Sequence, residues 1–281
     1  MTAPSLSKQH SKTITMRTPA PSLRLRPFAS LRMQGHVFFG NRTVLLNVLA
    51  GLIAMAGLAG AVAFSVANSY RGGQPLDDPM FVRDIAIFGF PFAQVFLGVA
   101  AILFVCSEWS SGFIYTSHSA LQQPLGFVVA KAAWPALTCA LGSTVMMLLE
   151  VPVESWLLSD TPYSISLLDA DVWRQIGALA LSTVCAVSFA TGIALWLRNS
   201  APALGVYIAV TLIAPIIVGQ IPMEAARHLS NWLPNNVFNS LITNNPGVTS
   251  TLNYPLVIAA AVAYPLIALT FGAIRLERRV V

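Results

Sequence analysis

Six long apolar stretches separated by short polar segments set the hydrophobic pattern of the chain. An α-helix needs about 20 apolar residues to cross roughly 30 Å of hydrocarbon, and each stretch is long enough. The pattern therefore predicts an all-α, polytopic membrane protein with six transmembrane helices in a single domain, 23–281. The stretches lie at about 44–68, 84–106, 125–149, 173–197, 202–223 and 253–274.

The composition supports this prediction. Of the 281 residues, 56% are apolar and 10% are charged, whereas soluble domains average about 25% charged residues. The mean hydropathy is +0.69. This apolar content excludes a wholly disordered chain, and three cysteines in a chain of this length exclude a disulfide scaffold.

The N-terminal region is basic. Its first 43 residues contain seven Lys and Arg and no Asp or Glu. A secretory signal would carry about 7–15 apolar residues, but the first apolar stretch exceeds 20, so we expect a retained cytoplasmic tail. We expect residues 1–22 to be disordered and about 23–41 to form an amphipathic helix in the membrane interface, anchored by Arg32 and Arg42. The alternative is an unstructured basic tail.

The distribution of charge predicts the orientation. With the N-terminus inside, only Arg71, Arg83, Arg174 and Arg227 lie outside, and the other twelve of the sixteen Lys and Arg lie inside. We therefore expect a multi-pass protein of the bacterial plasma membrane with both termini cytoplasmic. Residues 198–201 form a tight hairpin, 150–172 an acidic outer loop that includes Glu150 and Glu154, and 224–252 an outer loop with short helices.

Catalytic signatures are missing from the sequence. It contains no HExxH zinc motif, no G-x-S-x-G nucleophile elbow and no phosphate-binding G-x-x-x-x-G-K-[ST] loop. We assign no catalytic, metal or cofactor-binding residue, and we expect the chain not to be an enzyme. The helix centres are nearly free of charge, which argues against proton or sodium coupling. Lys131, near the inner end of the third span, is expected to extend its ammonium group to the interface.

The segment 107–124, between the second and third spans, is the most informative part of the sequence. It has one charged residue, Glu108, where a cytoplasmic loop normally carries Lys and Arg. Trp109 and Phe113 are four residues apart, which is the spacing of one face of an amphipathic helix. Such aromatic side chains suit either a pocket on a partner protein or the lipid interface, and the residues themselves leave both readings open.

These residues carry a resemblance to a known family. Glu108-Trp109-x-x-Gly112, followed by Thr116-Ser117, Pro124 and Lys131, resembles the motif of bacterial ABC exporter permeases whose ATPase is a separate chain. The basic interfacial helix, the tight hairpin and the large outer loop also resemble that family. The sequence departs from its pattern at Phe113, where Thr is usual, and at Tyr115, where Arg is usual.

The resemblance implies a permease that moves a hydrophobic or amphiphilic substrate by alternating access. Its expected partners are two ABC ATPase subunits, a second permease chain and membrane lipid, with no nucleic acid. ATP and Mg would bind only to the ATPase, whose closure would push the segment 107–124. The residues expected to couple the two proteins are Glu108, Trp109, Gly112, Phe113, Ile114, Thr116 and Leu121.

The resemblance also implies roles for two of these residues. Glu108 is expected to accept hydrogen bonds at a helix start or to pair with a basic group of the ATPase, and Gly112 to permit close backbone approach. Rival functions are a six-span secondary transporter or channel, a regulatory membrane subunit that moves no solute, and an intramembrane enzyme.

Overall fold

The structure of the protein is a computed structural model that describes residues 27–74, 79–110, 124–163, 165–243 and 253–277. Within these ranges the regular secondary structure is helical and contains no strand. A short 3₁₀ helix at Pro79–Ile87 precedes α3, and a π-helical turn at Ala209–Ile213 joins α6 to α7. The helices are α1 (Pro27–Gly40), α2 (Arg42–Arg71), α3 (Phe90–Ser110), α4 (Pro124–Leu157), α5 (Ala170–Leu197), α6 (Ser200–Ile208), α7 (Ala214–Gln220), α8 (Glu224–Asn231), α9 (Pro234–Ile242) and α10 (Tyr254–Glu277).

Among the described residues, six helical stretches are long and apolar enough to cross a membrane, which confirms the predicted fold class. Large apolar side chains lie exposed on their outer faces, among them Leu46 at 65% and Leu141 at 66% exposure. Such faces suit contact with lipid, where apolar exposure carries no hydration cost. The stretches are Arg42–Arg71, Phe81–Trp109, Gly126–Leu157, Ala170–Leu197, Ser200–Gln220 and Tyr254–Leu276.

Helix α5 occupies the centre of the bundle. Of its most apolar 18 residues, 78% are buried, compared with 61% or less in the other five stretches. It packs against α3, α4, α9 and α10, and Ser143 of α4 and Thr183 of α5 share a hydrogen bond of 3.2 Å. Its position makes α5 the helix around which the others are arranged.

Helix α4 extends beyond the third apolar stretch and carries two acids that we expected in a loop. It continues for about two turns after residue 149. Glu150 is 7% exposed and Glu154 is 1% exposed. The predicted loop 150–172 therefore starts too early, because α4 continues to Leu157 and its packed face includes both acids.

The predicted short helices of the 224–252 loop are present as α8 and α9. Helix α9 packs into the bundle, with Val237 and Phe238 fully buried. Ser182 of α5 donates a hydrogen bond of 2.8 Å to the carbonyl oxygen of Phe238. The rest of that loop, 244–252, lies outside the described residues, as does the predicted disordered tail 1–22.

The orientation in the membrane stays a prediction, and cysteine labelling tests it. We expect Asp160→Cys and Glu224→Cys to react with a membrane-impermeant maleimide from outside intact cells, because both residues are exposed. Arg32→Cys, exposed at the opposite end, is the matched control and should react only after lysis. Protection of position 160 in intact cells would contradict the topology.

Candidate functional site

The segment singled out in the sequence begins inside a helix. α3 continues to Ser110, so Glu108 and Trp109 belong to the last turns of the second span and not to a loop. Five further predicted coupling residues lie outside the described residues. They are Gly112, Phe113, Ile114, Thr116 and Leu121.

Glu108 and Lys131 form a buried ion pair. The Lys131 Nζ lies 2.5 Å from the Glu108 Oε2, and the side chains are 0% and 3% exposed. The pair joins the end of α3 to the beginning of α4. The expected extension of Lys131 to the interface is therefore wrong, because its ammonium group has a carboxylate partner inside the protein. The expectation that Glu108 acts at a helix start is also wrong, since it lies near the end of α3.

Aromatic and polar groups surround the Lys131 ammonium. Its Nζ lies 4.3 Å from the ring centroid of Phe104 and 5.8 Å from that of Phe127, distances at which the negative ring face attracts a cation. It also donates a hydrogen bond of 3.4 Å to the Gln34 Oε1 of α1. A desolvated charge is costly without such partners, so these contacts hold Lys131 in one position.

The predicted N-terminal helix is present as α1 and is fastened to α4. The Trp134 Nε1 donates a hydrogen bond of 2.5 Å to the carbonyl oxygen of Leu31. Gly35 faces the same indole, and a Cβ at this position would lie 2.8 Å from the Trp134 ring. Arg32 and Arg42 are exposed, and their role as interface anchors stays a prediction.

Trp109 packs against the hairpin between α5 and α6. The Arg198 guanidinium lies 4.6 Å from the Trp109 ring centroid, and its Nη2 donates a hydrogen bond to the carbonyl oxygen of Arg275 in α10. The hairpin is as tight as predicted, because Arg198 adopts a left-handed conformation with φ 60° and the Asn199 side chain caps α6. The half-buried Trp109 thus has a partner within the chain.

These contacts make one layer at the α1 end of the bundle, which we call the basal cluster: Gln34, Glu108, Trp109, Lys131 and Arg198. The layer connects α1, α3, α4, the α5–α6 hairpin and α10, and it lies where α3 leads into the segment 111–123. The polar groups of the layer link helices to one another, so its role is structural and not catalytic.

Sequence reasoning identified Glu108, Trp109 and Lys131 but missed Gln34 and Arg198. The sequence did contain a signal for the ion pair. Glu108 and Lys131 carry opposite charges and lie near the adjoining ends of two consecutive spans. Arg198 carried a weaker signal, since the predicted orientation alone explains a basic residue in a hairpin that is expected to be cytoplasmic.

Comparisons with known proteins add no family assignment. No protein-family model matches the chain, and no curated protein matches it either. The similarity to exporter permeases therefore rests on the chain's own motif residues and helix layout, and the exporter function stays a proposal.

Proposed function

We propose that the protein is the membrane-spanning permease subunit of an ATP-driven exporter for hydrophobic or amphiphilic substrates. The observation that carries the proposal is the basal cluster, in which the end of α3 is tied to four other parts of the bundle. A force applied to the segment that follows α3 would therefore move several spans together. Such a layer suits a subunit driven by a partner.

An ATP-driven permease needs energetic coupling between its two kinds of chain. ATP bound to another chain changes this subunit only through a contact whose free energy differs between two conformations. Under the proposal the segment 107–124 makes that contact, and the basal cluster transmits it to the spans. Glu108 and Trp109 already have partners within the chain, so their role is transmission and not direct binding of the ATPase.

The proposed working unit contains two permease chains and two ATPase subunits in the plasma membrane, with substrate passing between the permease halves. The apolar spans support a lipid-like or amphiphilic substrate, because such molecules enter from the bilayer without an aqueous pore. ATP and Mg belong to the ATPase, and no cofactor is proposed for this chain.

A second candidate function is an ion-coupled secondary transporter. The buried Glu150 and Glu154 favour it, since carboxyl groups inside spans commonly mark ion pathways. This rival predicts substrate uptake by liposomes in response to an ion gradient alone. The exporter proposal predicts no uptake until an ATPase subunit and ATP are added.

The proposed function is tested by measuring ATP hydrolysis. We expect the purified chain alone to show negligible hydrolysis, because its sequence lacks the phosphate-binding loop. Co-expression with a P-loop ATPase encoded beside it is expected to yield a complex that hydrolyses ATP and moves substrate.

The control is the same complex with the catalytic glutamate of the ATPase replaced. Turnover that survives this replacement, or that the permease chain shows alone, would contradict the proposal. Absence of any stable complex with the neighbouring ATPase would also count against it.

A further inference from the structure

Two buried acids, Glu150 and Glu154, lie at the end of α4 opposite the basal cluster and take no part in it. We call them the acidic pair. The two residues are four apart on one helical face, which brings their Cβ atoms within about 6 Å. Both side chains are more than nine-tenths buried. Among the described residues, none of their four carboxyl oxygens has a hydrogen-bond partner.

The basic side chains at this end of the bundle do not supply the missing charge. Arg71 is paired with Asp160 at 2.8 Å, and Arg83 is paired with Asp171 at 2.8 Å. Both arginines are more than half exposed, whereas the acidic pair is enclosed. Arg174 donates a hydrogen bond of 3.3 Å to the carbonyl oxygen of Thr243.

A buried pair of this kind is neutralised either by protons or by a cation. Two neighbouring carboxylates repel each other, and each loses its hydration when buried. Both costs are removed when a cation lies between them. The face of α4 around the pair is apolar, with Met147 and Val151 also buried there, so the cation that fits best is attached to an apolar body.

We infer that Glu150 and Glu154 bind the primary ammonium group of a cationic amphiphile. An ammonium has three N–H donors, which two carboxylates accept in full. Ca²⁺ needs six to eight oxygen ligands and Mg²⁺ an octahedral shell, and the described residues contain no group of three or more metal-ligating acids, histidines or cysteines. The inference rests on the proposed function and deepens it by naming the class of substrate.

Binding is tested on the full chain in phosphatidylcholine nanodiscs, with dodecylammonium as the probe and dodecanol as its uncharged match. At ten times its Kd, dodecylammonium should raise the Tm of the wild type about 3 to 6 °C more than dodecanol does. The double variant Glu150→Gln, Glu154→Gln should lose this difference. Glu224→Gln, a substitution of an exposed acid, should keep it.

Three results of the binding measurement would overturn the inference. They are an equal shift in the double variant, no excess shift in the wild type, and the same shift produced by sodium chloride alone. Without ligand, the double variant should melt at or above the wild-type Tm, because an unpartnered buried charge is removed while shape is kept. A much lower Tm would assign the pair a structural role and overturn it as well.

The experiment separates this inference from the proposed function. It contains no nucleotide and no second subunit, so a negative result leaves the ATP-driven mechanism untouched. A permease that fails to form an ATPase complex, conversely, is still able to bind dodecylammonium through the two carboxylates.

Discussion

Lys131→Ala is expected to destabilise the protein by about 3 to 5 kcal/mol, because it leaves Glu108 as a buried charge without its ammonium partner. The pair is almost completely enclosed, with exposures of 0% and 3%, so water does not replace the lost interaction. The substitution also removes the contacts with Phe104 and Gln34. Thermal unfolding in a mild detergent measures the loss as a lower Tm.

The matched control is Arg71→Ala, which breaks an ion pair that is exposed by 53% and 67%. Exposed pairs contribute about 0 to 1 kcal/mol, so this variant should melt close to the wild type. A Lys131→Ala variant with a Tm equal to that of Arg71→Ala would show that the buried pair does not stabilise the end of the bundle.

A double variant separates stability from coupling. Lys131→Met together with Glu108→Gln removes both charges and keeps side-chain volume, so it should recover much of the lost stability. If the ion pair transmits movement from the segment 107–124, the recovered protein should still show weaker substrate-stimulated ATP hydrolysis in the complex. Full recovery of both properties would limit the pair to a structural role.

The helices were predictable because the bilayer imposes a simple rule. A span must satisfy its backbone hydrogen bonds internally and present about 20 apolar residues, and the hydrophobic pattern records this directly. The tight hairpin was predictable for the same reason, since only four polar or small residues separate two apolar stretches. The short helices before α10 were predictable because the segment 224–252 is too apolar for a solvated loop.

Contacts between helices were not predictable, because they depend on which faces meet. The sequence predicted that Glu150 and Glu154 begin a loop. In the structure both lie on the packed face of α4, which continues to Leu157. The sequence predicted that Lys131 extends to the membrane interface, because a lysine side chain is long enough to bring its ammonium group there. Its actual position depends on Glu108 and Gln34, which come from two other helices.

A close contact between α5 and α10 depends on a glycine, and Gly192→Ala is expected to disturb it strongly. A Cβ at this position would lie 2.5 Å from the backbone carbon of Ala268 and 2.7 Å from the nitrogen of Leu269. Backbone atoms cannot rotate away as a side chain does, so the two helices must separate. Small residues at such crossings allow the close packing that drives helix association in lipid.

We expect Gly192→Ala to cost about 1 to 3 kcal/mol, the usual range for an overpacked core, and to lower the Tm accordingly. Gly177→Ala on the same helix is the matched control, because a Cβ there meets no atom within 4 Å. That control should be neutral or slightly stabilising, since alanine favours the helix more than glycine does. Equal Tm values for the two variants would contradict the close approach of α5 and α10. A selective loss in Gly192→Ala would show that this close approach stabilises the packing of α10 against the central helix, and α10 also carries the Arg198 contact of the basal cluster.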